Sequence, residues 1–159
     1  MEDGYASLTR DWEGESLVLL TLPTKARRLY ANPRVRDNAG CAAFAWGPLV
    51  YCFEGADNPA PLCMLRVKRE ALPRIQPFDP NLLGGVRTLK IEGLRLSMPE
   101  GVLYREEPPG EEDITLTAIP YYAFANRDSK DMRIWIEEAC NRIGDGVTSS
   151  YFHCAACVG

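Results

Sequence analysis

The feature that most constrains this chain is its punctuation. Apolar stretches are repeatedly cut short by proline, glycine, asparagine or aspartate. Ser16–Leu22 closes at Pro23, and Arg27–Ala31 closes at Asn32-Pro33. Ala42–Trp46 and Leu49–Glu54 flank Gly47-Pro48, and Leu62–Val67 follows a loop holding Pro59 and Pro61. Val86–Ile91 follows Gly84-Gly85, Asp113–Ile119 alternates Ile114, Leu116 and Ala118 with Thr115 and Thr117, and Arg133–Ile136 is the last. Short runs separated by turn residues predict an antiparallel all-β fold, a β-sandwich of jelly-roll type, rather than alternating strands and helices. Twelve prolines support this, because proline closes strands and stays out of central ones. One short C-terminal helix is expected near Trp135–Ile143, where Ile136, Ala139, Cys140 and Ile143 share a helical face. The division that follows is a β-sandwich domain over 1–136 and a tail over 137–159, helical at first and then disordered. The acidic, proline-bearing stretch Glu106–Asp113 reads as a mobile loop.

The run Cys41–Glu54 carries one charge in fourteen residues, and that charge is the last of them. Phe44, Trp46, Val50 and Cys52 alternate with Ala45, Leu49 and Tyr51, so both faces are apolar. That pattern places the run inside the fold, as a central strand pair or one long bent strand. Pro48 cannot donate to a ladder, so Gly47-Pro48 marks either a turn or a bulge. Scaffold is the better reading of this run than the wall of a site.

A net charge of -4 and a pI near 5.1 leave no basic patch for nucleic acid. No apolar run approaches the roughly 20 residues of a membrane helix. The start Met1-Glu2-Asp3-Gly4 lacks the basic and apolar parts of a secretory signal, which predicts a cytoplasmic protein or an excerpt from a longer chain. Cys41, Cys52 and Cys63 lie in strand-like runs and read as reduced, buried small hydrophobes.

Candidates for chemistry are few. His153 is the only histidine, and neither a Gly-x-Ser-x-Gly elbow nor a glycine-rich phosphate loop is present. In His153-Cys154-Ala155-Ala156-Cys157 the histidine and both cysteines have zinc-ligand spacing, with Cys140 as the nearest fourth ligand. A frayed tail with exposed thiols explains the same residues. Glu54 with Asp57, and Glu137 with Glu138, supply carboxylate pairs of the type glycoside chemistry uses, although such pairs have little specificity. Trp12, Trp46, Tyr121, Tyr122 and Trp135 could form a sugar-stacking platform, but in a β-sandwich most aromatics are core.

Several stretches in order resemble the β-sandwich region of the β-L-arabinofuranosidase-like glycoside hydrolases, family 127. These are Gly4-Tyr5-Ala6 with Arg10 and Trp12, Leu20–Pro23 followed by Arg27 or Arg28, and Arg36–Gly40. Next comes Gly47-Pro48-Leu49-Val50-Tyr51-Cys52 with Glu54 and Asp57-Asn58, the most specific part. Ile119-Pro120-Tyr121-Tyr122, Ala125-Asn126-Arg127, Met132 and Trp135 complete it. The family usually has arginine before Gly-Pro, where this chain has Trp46, so any polar contact of that arginine is missing.

The resemblance implies a helical (α/α)6 barrel ahead of the sandwich, holding a zinc-bound cysteine nucleophile and a glutamate acid/base. No such barrel is in this chain, so no catalytic residue is carried over and no cofactor is expected here. Zinc is implied only for the barrel. Met1 stands where the family is in mid-chain, which suggests a split, truncated or excised product. The expected role is to brace a catalytic barrel, supplied in cis or in trans, or to form a homodimer through an apolar face. The alternatives are a stand-alone carbohydrate-binding module and a zinc enzyme using His153, Cys154 and Cys157. For a sugar or an interface the candidates are Trp12, Trp46, Tyr121, Tyr122 and Arg127, with neither nucleic acid nor membrane as partner.

Overall fold

A computed structural model of the chain describes residues 7–12, 14–22, 24–127 and 131–139. Its strands are β1 (Ala26–Leu29), β2 (Cys41–Trp46), β3 (Leu49–Glu54), β4 (Leu65–Val67), β5 (Arg74–Ile75), β6 (Leu89–Ser97), β7 (Gly110–Pro120), β8 (Met132–Arg133) and β9 (Ile136–Glu137). Single 3-10 turns occupy Arg36–Asn38, Leu62–Met64 and Tyr121–Ala123. Among the described residues no helix is long and apolar enough to cross a membrane.

The architecture is all-β, and every strand pairing is antiparallel. The strand order is β1-β2-β3-β7-β6-β4, with β5 on β6, β8 on β3 and β9 on β2. The sheet curls. β3 parts from β2 beyond Tyr51, where β8 takes up Phe53 and Glu54, and this leaves the N-terminal end of β2 uncovered. β9 takes the vacated place, setting Ile136 opposite Ala42. A parallel bridge from Glu138 to Val67 then ties the same segment to β4. The two halves of the curled sheet therefore face one another across a single core of Phe44, Tyr51, Phe53, Leu65, Ile91 and Leu116 among others.

The local reasons are visible in the strands. Ala42–Ala45 and Tyr51–Glu54 are all buried, as expected for a pair covered on both faces. Gly47-Pro48 is a turn, not a bulge: Trp46 and Leu49 are paired directly, and Gly47 has φ +55°. Two-residue hairpin loops require such a residue at their first position, and glycine adopts it without steric cost. Gly93 serves a different need, since a Cβ there would lie 2.4 Å from the Arg66 carbonyl oxygen on β4.

The structure shifts the bounds of Val86–Ile91 to Leu89–Ser97, splits Arg133–Ile136 into β8 and β9, and changes the type of element expected at four places. Ser16–Leu22 forms no strand and stands in water. Leu62–Met64 is a 3-10 turn, so the strand begins only at Leu65. Gly110–Asp113 belongs to β7 rather than to a loop, because Glu111, Glu112 and Asp113 pair with Leu96, Arg95 and Leu94. The helix expected from Trp135 is replaced at Ile136–Glu137 by β9, since the open end of β2 supplies backbone partners there. Cys140 and Ile143, the rest of that apolar spacing, lie outside the described residues.

Candidate functional site

The most concentrated chemistry lies where β3 ends. Glu54 closes an apolar strand and is only 1% exposed. A buried carboxylate requires a cation or several donors. Both come from the loop after β7. Arg127 grips Glu54 through Nη2 and also donates to both oxygens of Asp57, at 2.7 and 2.5 Å. The Ala125 amide donates to the other Glu54 oxygen at 3.4 Å, and Ala125 has φ +63° to do so. The hydrogen bond to Asp57 holds the Arg127 guanidinium above its ordinary range, reinforced by Glu54.

Asn58 completes the corner from below. Its side-chain amide donates to the carbonyls of Glu54 and Thr117 at 2.9 and 3.0 Å, and accepts from the Thr117 amide at 3.0 Å. Asp131 accepts from the Leu62 amide at 3.0 Å, and its carbonyl accepts from Gly55 at 2.9 Å. The loops after β3 and β7 are thus laced together by polar groups with defined partners.

The second carboxylate pair is committed in the same way. Glu138 accepts from Arg28, from the Tyr30 hydroxyl at 3.1 Å, and lies 3.5 Å from Arg69. Arg28 also donates to the carbonyls of Lys68 and Ala71, both at 2.7 Å. Glu137 pairs with Arg66 at 2.5 Å. Glycoside hydrolysis needs two carboxyl groups facing a substrate across a cleft. Here both pairs are engaged by guanidinium groups, Glu54 and Asp57 sharing Arg127 while Glu137 and Glu138 meet Arg66, Arg28 and Arg69, so the chemistry both pairs support is that of a clasp.

The expected aromatic platform is divided. Trp46 and Tyr122 line one shallow cavity of about 190 Å³ with Leu49, Phe78, Arg87 and Pro120. The Arg87 guanidinium lies 6.0 Å from the Trp46 ring, and Tyr122 is 65% exposed. Tyr121 instead stacks on Phe124, with centroids 6.4 Å apart. Trp12 is exposed beneath the Arg10 guanidinium at 5.2 Å, in the segment before β1. Trp135 is half-buried. Arg127 belongs to the ion cluster and is not among the residues lining the Trp46–Tyr122 cavity.

Of the three described cysteines, Cys52 is buried, Cys41 is half-buried and Cys63 is exposed. The reading of all three as buried hydrophobes therefore holds for Cys52 alone. His153, Cys154 and Cys157 lie outside the described residues. Among the described residues no three His, Cys, Asp or Glu side chains converge on a point that a metal could occupy, and no metal-assisted step is assigned to them.

Burial pushes the Cys52 thiol up to about 11, with Glu54 and Asp57 adding to the shift and Arg127 opposing it. Burial likewise raises Tyr51 to about 12. Both groups hold their protons more tightly folded than unfolded. Their contribution is therefore complete below the unfolded values, 9.0 for the thiol and 10.0 for the phenol, and is lost as pH rises through the folded ones. The urea midpoint is expected to fall between pH 9 and pH 11, and Cys52→Ala should shallow that fall. A midpoint flat across this window would contradict the burial argument.

With this geometry in place, similarity to known proteins becomes specific. Residues 26–137 match the glycoside hydrolase family 127 C-terminal domain. The chain is 37% identical over 142 residues to a non-reducing end β-L-arabinofuranosidase of Bifidobacterium longum subsp. longum, covering 85% of this chain and 21% of that protein. It superposes with a TM-score of 0.69 and 37% identity on a family 127 β-L-arabinofuranosidase from Geobacillus stearothermophilus T6, over 74% of this chain and 19% of that one. A second family 127 β-arabinofuranosidase superposes with a TM-score of 0.66 and 30% identity, over 74% and 18% of the two chains. The chain thus spans about a fifth of the length of these relatives. It belongs to the glycoside hydrolase family 127 C-terminal domain family.

Proposed function

We propose that this chain is the non-catalytic β domain of a β-L-arabinofuranosidase-like hydrolase, bracing a helical-barrel catalytic domain joined in cis or supplied in trans. The observation that carries this reading is the state of the carboxylates: Glu54, Asp57, Glu137 and Glu138 are all engaged by arginines. What they hold is loop to strand and strand to strand. The match to one fifth of a β-L-arabinofuranosidase, at the domain described as C-terminal, points the same way. On this reading zinc belongs to the barrel, and the protein works in the cytoplasm, where its free thiols stay reduced.

The test is coexpression of the full chain with a family 127 β-L-arabinofuranosidase polypeptide lacking its own C-terminal fifth. The expected result is a copurifying complex that hydrolyses a β-L-arabinofuranoside, while the chain by itself does not. Hydrolysis by the chain alone, or no complex, would overturn the proposal. The cavity at Trp46 and Tyr122 favours a second reading, a carbohydrate-binding module. That reading requires the isolated chain to bind an arabinofuranoside and the Tyr122→Ala variant to lose the binding while folding normally.

A further inference from the structure

The segment ahead of β1 has no place in the fold described above. Leu17, Val18, Leu19, Leu20 and Leu22 are all exposed, Leu17 by 90% and Leu19 by 85%. Among the described residues none supplies their backbone with a hydrogen-bond partner. Two alternating sets run through the segment: Leu17 and Leu19 on one side, Val18, Leu20 and Leu22 on the other. A strand covering one side of a sheet needs one apolar face. A strand with two apolar faces belongs in a layer covered on both.

The domain's own sheet does not offer that layer. The connection into β1 is pinned at the tip of the β2–β3 hairpin, where the Gly47 amide donates to the Lys25 carbonyl at 3.3 Å. A Cβ on Gly47 would lie only 3.0 Å from the Thr24 methyl, so the connection packs closely on that tip. The chain therefore arrives at β1 past the tip of that hairpin.

We infer that residues 16–22 are a guest β-strand, added to the sheet edge of the adjoining part of a family 127 hydrolase and buried there on both faces. This rests on the bracing role proposed above. The occupant follows from covalent order. The family match begins at Ala26, the likeness to the B. longum enzyme covers 85% of the chain and so runs past the 26–137 borders, and the matched domain is described as C-terminal. In a hydrolase of that layout the residues just before Ala26 lie at the junction with everything that precedes the domain. A second copy of this chain has no such claim on them.

The experiment is amide hydrogen exchange on the full chain, alone and in complex with the coexpressed hydrolase polypeptide. In the complex, the amides of 17–22 are expected to slow by more than about tenfold, as for a strand within a sheet. Leu17→Asp/Leu19→Asp and Val18→Asp/Leu20→Asp should each abolish the complex, while circular dichroism shows the domain itself folded. A complex in which these amides stay fast would overturn the guest strand and leave the bracing role standing. Sensitivity of only one aspartate pair would overturn burial on both faces. Protection that appears in the chain alone and grows with its concentration would assign the strand to a second copy instead. Absence of any complex would remove the bracing role and this inference together.

Discussion

Replacing Arg127 with methionine is expected to cost the domain about 3–5 kcal/mol, the range for breaking a buried ion pair from one side. Methionine keeps much of the apolar stem and removes the charge. Glu54 is then left 1% exposed with no cation, and Asp57, also largely buried, loses both of its guanidinium bonds. The Ala125 amide at 3.4 Å is too long a bond to compensate. Glu54→Gln should be milder, about 1–2 kcal/mol, because Arg127 retains Asp57 and the new amide can still accept a hydrogen bond. The double variant should lose less than the sum, since the charge that methionine orphans is partly gone. Urea midpoints at an unchanged slope measure all three. A loss below about 1 kcal/mol for Arg127→Met would place the cluster among surface ion pairs and weaken its role as a clasp.

This cluster also shows where sequence reasoning stops. That Glu54 ends an otherwise uncharged run is plain from the sequence, and a charge at the end of a buried strand announces a partner. The partner is 73 residues away, on a loop that only the β3–β7 pairing brings near. Local pattern cannot encode that meeting. It does encode β2 and β3 well, because two apolar faces and a Gly-Pro loop leave a hairpin little freedom of register. Ser16–Leu22 carries the same local signal, and there it misleads. Hydrophobic pattern states that a segment requires cover, not that this domain provides it. The reverse holds at Ile136, whose helical spacing yields to the vacancy beside Ala42 where β3 has parted from β2. The aromatic candidates divide for a related reason: Trp46 and Tyr122 are joined by the fold, while Trp12 sits on the segment the fold does not hold.

Phe53→Ala should be comparably damaging, at about 3–5 kcal/mol for a large ring removed from a core. Phe53 is fully buried and meets Phe44 edge to face, with centroids 5.9 Å apart and planes at 80°. Its backbone stands opposite Ala118 of β7 and Arg133 of β8 at once, so the cavity opens where three strands converge. Phe44 is in turn covered by the Arg28 guanidinium at 5.3 Å, the same group that holds Glu138 and the carbonyls of Lys68 and Ala71. Loosening the ring pair therefore reaches the joint that closes the sheet. Phe53→Leu leaves much less empty space and should cost under half as much. The bracing role proposed above makes a further demand of this variant. In the complex with a catalytic polypeptide, kcat at low temperature should be nearly unchanged, because no group on the substrate is altered, while heat inactivation should come several degrees earlier. A variant that lowers kcat in the cold without hastening inactivation would move this domain from support into the chemistry itself.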